Sequence, residues 1–252
     1  STIYRTAVET MPEIKAAMLG VESAEYDIKI AKSGYAPTLG LGANLGTNYV
    51  DIYDEKLAKK QFLEEFESLF NDNNSETTAL SALPTAYDYI RLGHPLSSIL
   101  EWGIASLHQL KPESVISFQS QTIPVLAILR KNLLDNKGTQ IVYTNELPKD
   151  FDAEVVQRVY GYEFELKKVD NVADISEFNG STIFISEEGK ISTAKLSKNI
   201  DFAINLYGDL GSVLVVNGEQ NEPYISAIQH VRRRETIAMT PDNCYTALKS
   251  FV

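Results

Sequence analysis

The sequence is poor in the residues that bind metals or form covalent cross-links. It has one cysteine, Cys244, and three widely separated histidines, His94, His108 and His230. A single cysteine excludes an intrachain disulfide, and the histidines lack the short spacing of a zinc site. We therefore expect no metal site and a buried, structural Cys244. His94, which precedes a proline, is predicted to be an exposed turn residue.

Basic side chains are also scarce: 23 Lys and Arg residues stand against 34 Asp and Glu, giving a net charge of −11. Binding to nucleic acid is not expected, because a phosphate-binding surface needs clustered cations. The one basic run, residues 232–234, is predicted to end a helix, where cations interact favourably with the helix dipole. A site for an anion or an acidic partner is the alternative interpretation of this run.

Long hydrophobic runs are absent as well. No apolar run reaches the length of about 18 residues that is typical of a membrane-spanning helix, so no membrane span is expected. No targeting segment is recognisable, which leaves the localisation open. The fold class predicted below favours the cytoplasm.

Short apolar runs alternate with helical patterns after residue 79. Strands are predicted at residues 115–118, 140–144, 163–169, 182–186, 201–206 and 213–216, and helices at 95–107, 123–134, 153–159, 224–232 and 240–251. Apolar strands that alternate with helices are typical of a largely parallel sheet covered by helices. The sequence therefore predicts a three-layer α/β domain at residues 79–252, with a mostly parallel sheet flanked by helices.

Residues 1–78 have a different character. Apolar residues recur every three or four positions from Ile14 to Ala31, which predicts an amphipathic helix, and glycines alternate with apolar residues over 38–47, which indicates a strand. A second amphipathic helix is predicted at 54–70, followed by a polar linker at 71–78. We therefore place an N-terminal helical and extended segment at 1–78, ahead of the α/β domain at 79–252.

The α/β domain opens with a recognisable motif. Residues 87–95 are Y-D-Y-I-R-L-G-H-P, and Leu100-Glu101 follows. This pattern resembles a motif of the trans-sulfuration family, the enzymes of cysteine and methionine metabolism that depend on pyridoxal phosphate (PLP). Further segments follow the family's order at residues 117–129, 182–186, 201–208 and 239–251. The resemblance thus extends over residues 87–251 and implies a truncated, PLP-transferase-like cofactor-binding domain.

The resemblance also implies roles for individual residues. Tyr89 and Arg91 match residues that reach the cofactor phosphate of a neighbouring subunit. Ser120 matches the segment where a strand meets a helix N-terminus, whose N–H groups hold the phosphate. These three residues are the candidate cofactor-binding residues, and PLP is the possible cofactor; a small-molecule anion is a possible partner. Because the family's cofactor site is built between subunits, the resemblance implies a homodimer.

The sequence departs from the family where the chemistry is performed. PLP catalysis needs a lysine for the imine, a carboxylate on the ring nitrogen and a phosphate cradle. The position of the Schiff-base lysine is Gly208, that of the carboxylate is Ser186, next to Glu187, and that of the cradle glycine is Gln121. The nearest lysines, in a polar loop, are Lys190, Lys195 and Lys198.

Three functional hypotheses follow. The leading one is a degenerate trans-sulfuration-like domain that is non-catalytic and acts by binding or assembly. The first alternative is an active PLP-dependent lyase or transferase of sulfur amino acids, with a loop lysine forming the imine. The second alternative comes from residues 1–49, which resemble the start of a TolC-type outer-membrane efflux protein, where a long helix leads into a strand. It implies a cell-envelope component, and therefore a different compartment.

Overall fold

The structure is a computed structural model that describes residues 55–87, 91–187 and 196–249. The helix and strand predicted within residues 1–49, and with them the TolC-type resemblance, lie outside the described residues. So do Tyr89, Lys190 and Lys195.

Six strands form one sheet with the order β1-β6-β5-β4-β2-β3. They are β1 Val115–Phe118, β2 Thr139–Tyr143, β3 Glu165–Lys168, β4 Ser181–Ser186, β5 Phe202–Leu206 and β6 Ser212–Val216. Strand β2 pairs in parallel with β3 and β4, and β4 pairs in parallel with β5. Strand β6 runs antiparallel to both of its neighbours, β5 and β1. Strands β1 to β5 consequently share one direction, and their carboxyl ends meet at one edge of the sheet.

Helices cover both faces of this sheet, which confirms the predicted three-layer α/β fold. The described helices are α1 Glu55–Asn71, α2 Thr77–Ser81, α3 Pro95–His108, α4 Ile123–Leu134, α5 Ala153–Tyr160, α6 Glu222–Glu235 and α7 Pro241–Lys249. Strand β6 shows the layering: Leu214 packs with α4 and α6 residues such as Ile128 and Ile228, whereas Val213 packs with α3 and α7. No helix in the described part of the chain is long and apolar enough to cross a membrane.

The core on the α3 and α7 side contains Cys244. This residue is fully buried, as predicted, and its Sγ lies 3.4 Å from the carbonyl oxygen of Met239. Burial raises the pKa of the thiol to about 12, so it stays protonated and unreactive at neutral pH.

Helix α1 confirms the helix predicted at 54–70, and it packs on α3. The ring of Phe66 meets Trp102 of α3 edge to face, with centroids 5.5 Å apart. Residues 52–252 form one compact unit. The domain boundary at residue 78 stays a prediction.

Candidate functional site

The carboxyl ends of the parallel strands bring the sequence-predicted positions together. Residues 119–122 link β1 to α4, Ser186 ends β4, and residues 207–211 link β5 to β6. Ligands of open α/β sheets bind outside the carboxyl ends of the strands. We call this region the carboxyl edge and take it as the candidate site.

Ser120 lies at the start of α4. Its Oγ accepts hydrogen bonds from the backbone N–H groups of Thr122 and Ile123, both at 3.2 Å. The next residue, Pro124, has no N–H to offer. Two of the helix donors that a phosphate would use are therefore already engaged by the chain itself. The cofactor-binding role of Ser120 stays a prediction.

The two turns of the carboxyl edge are bonded to each other. The side-chain amide of Gln121 donates from Nε2 to the carbonyl oxygen of Gly208. Ser212 Oγ donates to the carbonyl oxygen of Ser120 at 2.7 Å. Gly211 has a φ of +129°, and a Cβ there would lie 2.3 Å from the carbonyl oxygen that ends β1. The β5–β6 turn is thus held tightly against the β1–α4 turn.

Gln119 ties a third segment, the loop between α6 and α7, to the same place. Its backbone N–H donates to the carbonyl oxygen of Ile237 at 3.1 Å. Its Oε1 accepts from the N–H of Thr240 at 3.2 Å and from Asn243 Nδ2 at 3.3 Å. Asn243 Nδ2 also donates to the carbonyl oxygen of Leu210 at 2.9 Å. Amide and hydroxyl groups therefore form the hydrogen bonds that join Gln119, Ser120 and Gln121 to the neighbouring turns.

The described residues of this edge do not fit an imine-bound PLP. Gly208 offers no amine, and its backbone has a φ of +53°. Ser186 Oγ donates to Asn205 Oδ1 at 3.4 Å, and a hydroxyl cannot neutralise a protonated pyridine ring as a carboxylate does. Lys198 lines a cavity with Thr182 and Asp201, at the amino ends of β4 and β5. Among the described loop lysines, the one candidate therefore lies at the opposite edge of the sheet.

Arg91, the other described candidate, belongs to a segment that docks onto the loop before α7. Its carbonyl oxygen accepts from the N–H of Ala238 at 3.4 Å, and the carbonyl oxygen of Leu92 accepts from Arg232 Nη2 at 2.7 Å. The side chain of Arg91 is half-buried. Its assignment to a cofactor phosphate stays a prediction.

The prediction of an exposed His94 is wrong. The residue is 8% exposed and caps α3: Nδ1 accepts from the N–H of Ser97 at 3.2 Å, and Nε2 bonds to the carbonyl oxygen of Met239 at 2.7 Å. Burial lowers the pKa of the imidazole, which favours the neutral ring that can accept at Nδ1. Histidine is not among the preferred N-cap residues, so this capping role is not predictable from the residue type.

The basic run at 232–234 ends α6 as predicted, but its first member is not at the surface. Arg233 and Arg234 are exposed, whereas Arg232 is buried. Arg232 Nη1 donates to Glu101 Oε1 at 3.0 Å and to the carbonyl oxygen of Ser117 at 3.2 Å. The anion-site alternative for this residue is not supported, because its guanidinium already binds a carboxylate of the chain.

Lys59, Glu101 and Arg232 form a buried ion cluster that joins α1, α3 and α6. Lys59 Nζ lies 2.5 Å from Glu101 Oε2, and the side chains of Lys59, Glu101 and Arg232 are 8%, 1% and 6% exposed. Ser117 donates to Glu101 Oε1 from both its N–H and its Oγ, each at 2.8 Å. Burial alone would raise the pKa of Glu101, but the charges of Lys59 and Arg232 outweigh this effect and lower it to about 2. The carboxylate is thus ionised across the physiological range.

Comparison with known proteins gives a likeness to solved structures. No protein-family model matches the chain, and neither does a curated protein sequence. A MetB protein of Corynebacterium glutamicum has a TM-score of 0.40 at 16% identity, covering 64% of this chain and 52% of its own. A putative O-acetylhomoserine (thiol)-lyase of Campylobacter jejuni, solved with a pyridoxyl-lysine monophosphate, has a TM-score of 0.38 at 12% identity, covering 64% and 57%.

A third structure is cystathionine gamma synthase of Xanthomonas oryzae pv. oryzae in complex with aminoacrylate and cysteine. Its TM-score is 0.41 at 12% identity, covering 67% of this chain and 53% of the enzyme. This chain therefore spans little more than half the length of each of these three proteins. Identities and scores this low establish neither a family nor an activity.

Proposed function

We propose that residues 79–252 are a degenerate trans-sulfuration-like PLP-fold domain that is non-catalytic and acts by binding or assembly. The observation that carries the proposal is the pairing of Gly208 with Gln121. Where the resemblance requires the imine-forming lysine, the chain has a residue without a side chain, and the carbonyl oxygen of that residue accepts a hydrogen bond from Gln121. An imine cannot form without an amine at this point.

Two further observations support the same proposal. Ser186 replaces the carboxylate that would hold the pyridine nitrogen, and it bonds to Asn205 instead. At the other end of the site, Gln121 replaces the cradle glycine, and its side chain bonds to the facing turn. At all three positions that should supply what PLP catalysis requires, this chain thus has a residue that does not supply it.

The part of the motif that remains is the part that organises the fold. Arg91, Gly93 and His94 belong to a segment fixed to the loop before α7, and Glu101 is the centre of the buried ion cluster. Tyr89 and Arg91 match residues that reach the cofactor phosphate of a neighbouring subunit. A domain without the catalytic residues thus still has residues that act between subunits. We therefore propose self-association, a homodimer, as the simplest form of that assembly.

The proposal is tested by spectroscopy of the purified chain with added PLP. We expect no saturable visible absorption band and, after borohydride reduction and peptide mapping, only scattered, substoichiometric labelling of surface lysines. Stoichiometric labelling of one native lysine would refute the non-catalytic proposal. If that lysine were Lys190 or Lys195, the lyase or transferase hypothesis would take its place.

Assembly is tested separately by light scattering coupled to size-exclusion chromatography. A mass of twice the monomer over a range of protein concentrations supports the homodimer. An Arg91→Ala variant that keeps the monomer fold and the dimer mass would show that this residue is not needed for self-association. A strictly monomeric wild-type chain would rule out the homodimer.

A further inference from the structure

We propose that Gln121 closes the carboxyl edge against phosphate-bearing ligands, so that the residue at 121, and not only the missing lysine at 208, excludes PLP. The inference rests on the proposed function in one respect: it takes the carboxyl edge to be a former cofactor site. We call Gln121 the gate residue.

The gate residue lies between the two turns of the carboxyl edge. Its side chain runs from the β1–α4 turn to the β5–β6 turn, and its Nε2 bonds to the carbonyl oxygen of Gly208. An anion placed at the start of α4 would have to enter between these two turns. It would displace the amide and leave the carbonyl dipole facing negative charge, so phosphate entry requires this bond to break.

Gly208, in the facing turn, is exposed. A Cβ at this position would meet no atom of the described residues within 4 Å, so a side chain at 208 has room among them. Its φ of +53° lies in the left-handed region, which residues other than glycine adopt at a modest cost. Among the described residues, the side chain that spans the two turns is therefore that of Gln121, and position 208 is open.

Other hydrogen bonds of the carboxyl edge remain when the gate residue is replaced. The two turns are still joined by the bond from Ser212 Oγ to the carbonyl oxygen of Ser120. Gln119 still holds the loop before α7. The hydroxyl of Ser120 accepts hydrogen bonds from two N–H groups, and its own hydrogen can still be donated to an acceptor such as phosphate. Removing Gln121 should thus open the edge without unfolding the domain.

The experiment supplies the amine and varies the gate. Full-length G208K, G208K/Q121G, G208K/Q121A and Q121G are incubated with PLP and reduced with borohydride. The lysine amine condenses with the PLP aldehyde and releases water, and borohydride then converts the C=N bond into a stable secondary amine. Labelling of the peptide that contains position 208 is quantified by mass spectrometry.

We expect about tenfold more labelling at position 208 in the gate-removed double variants than in G208K at the same subsaturating PLP concentration, which corresponds to about 1.4 kcal/mol of binding free energy. Pyridoxal, which lacks the phosphate, is the matched control ligand and should label all three position-208 variants alike. The Q121A substitution is included because the flexibility of glycine in Q121G can by itself disturb folding. A gain in labelling that both substitutions share is then due to removal of the glutamine side chain.

Equal labelling of G208K and both double variants by PLP would overturn the proposal. So would an equal gain with pyridoxal, because the gate would then act on access in general and not on the phosphate. These outcomes are distinguishable from failure of the proposed function. A stoichiometric adduct on a native lysine of the wild-type chain would end the proposed function, while the comparison at position 208 would still test the gate.

Discussion

Replacing Glu101 by Gln should destabilise the domain by about 3–5 kcal/mol, the usual cost of breaking a buried ion pair from one side. The cluster has a formal charge of +1, since Lys59 and Arg232 contribute +2 and Glu101 contributes −1. The substitution raises this buried charge to +2. It also places an amide where a carboxylate oxygen now accepts three hydrogen bonds, two of them from Ser117.

The Lys59→Met variant is the matched control, because it alters the same cluster in the opposite electrostatic sense. Glu101 would keep Arg232 and Ser117 as partners, and the buried charge would fall from +1 to zero. The loss of one charge-assisted hydrogen bond is then partly offset by relief of desolvation, so we expect a cost of about 1–2 kcal/mol. The predicted asymmetry between the two variants is a sharper test than either value alone.

The same carboxylate predicts a dependence of stability on pH. Its folded-state pKa, about 2, lies below its ordinary value of 4.5, so the folded state binds this proton less tightly than the unfolded chain. The stabilisation is therefore fully present above about pH 4.5 and is lost as the pH falls through the folded-state pKa. A shift of this size corresponds to about 3 kcal/mol. Glu101→Gln should remove this part of the acid dependence.

Urea denaturation followed by far-UV circular dichroism measures both effects, at pH 7 and in steps down to pH 3. Wild type and Glu101→Gln should converge in stability as the pH is lowered, since the wild-type carboxylate loses its advantage. If Lys59→Met costs as much as Glu101→Gln at pH 7, the charge argument is refuted. An unchanged stability gap between wild type and Glu101→Gln from pH 7 to pH 3 would refute the assignment of the pH dependence.

Two further predictions concern the segment before α3. His94→Ala should cost about 1–2 kcal/mol of folding stability at pH 7, because the N–H of Ser97 and the carbonyl oxygen of Met239 both lose a partner. Since burial lowers the pKa of His94, the stabilising effect of the imidazole should be complete above pH 6.5 and decline below it. A stability difference between wild type and His94→Ala that stays constant between pH 8 and pH 5 would contradict this. Gly93→Ala should cost roughly 2 kcal/mol of folding stability or more, because its Cβ would lie 2.3 Å from the ring of Tyr87. A melting temperature equal to that of wild type would show that the ring moves aside freely. Gly103→Ala is the matched control, because a Cβ there meets no atom of the described residues within 4 Å.

The sequence predicted the secondary structure of the α/β domain closely because its apolar periodicity is strong. Strand β1 and helix α4 begin and end at the predicted residues, and Gly161 ends α5. The linker expected at 71–78 was only partly right, since α2 begins at Thr77. The antiparallel direction of β6 was not foreseen, because alternation of apolar residues fixes which face a residue occupies and leaves the strand direction open.

The interactions of the polar core were harder to predict, since they depend on partners far apart in the chain. Arg232 and Glu101 are separated by 131 positions, and His94 and Met239 by 145. A charged residue in a basic run is exposed in most proteins, and only the position of the distant carboxylate makes burial of Arg232 favourable. The motif at 87–95 drew attention to the segment before α3. It did not reveal that Gly93 packs against the ring of Tyr87 and that His94 caps the helix.

Burial differs between the residues of the motif at 87–101 and Gly208. Gly93, His94 and Glu101 are buried, and each has contacts whose loss is expected to destabilise the whole domain. Gly208 is exposed and has room for a Cβ among the described residues, so a different residue there is expected to cost little folding stability. Under the proposed function, the question for this domain is which partner it binds, and we expect the answer to depend on the carboxyl edge and on Arg91 more than on the core.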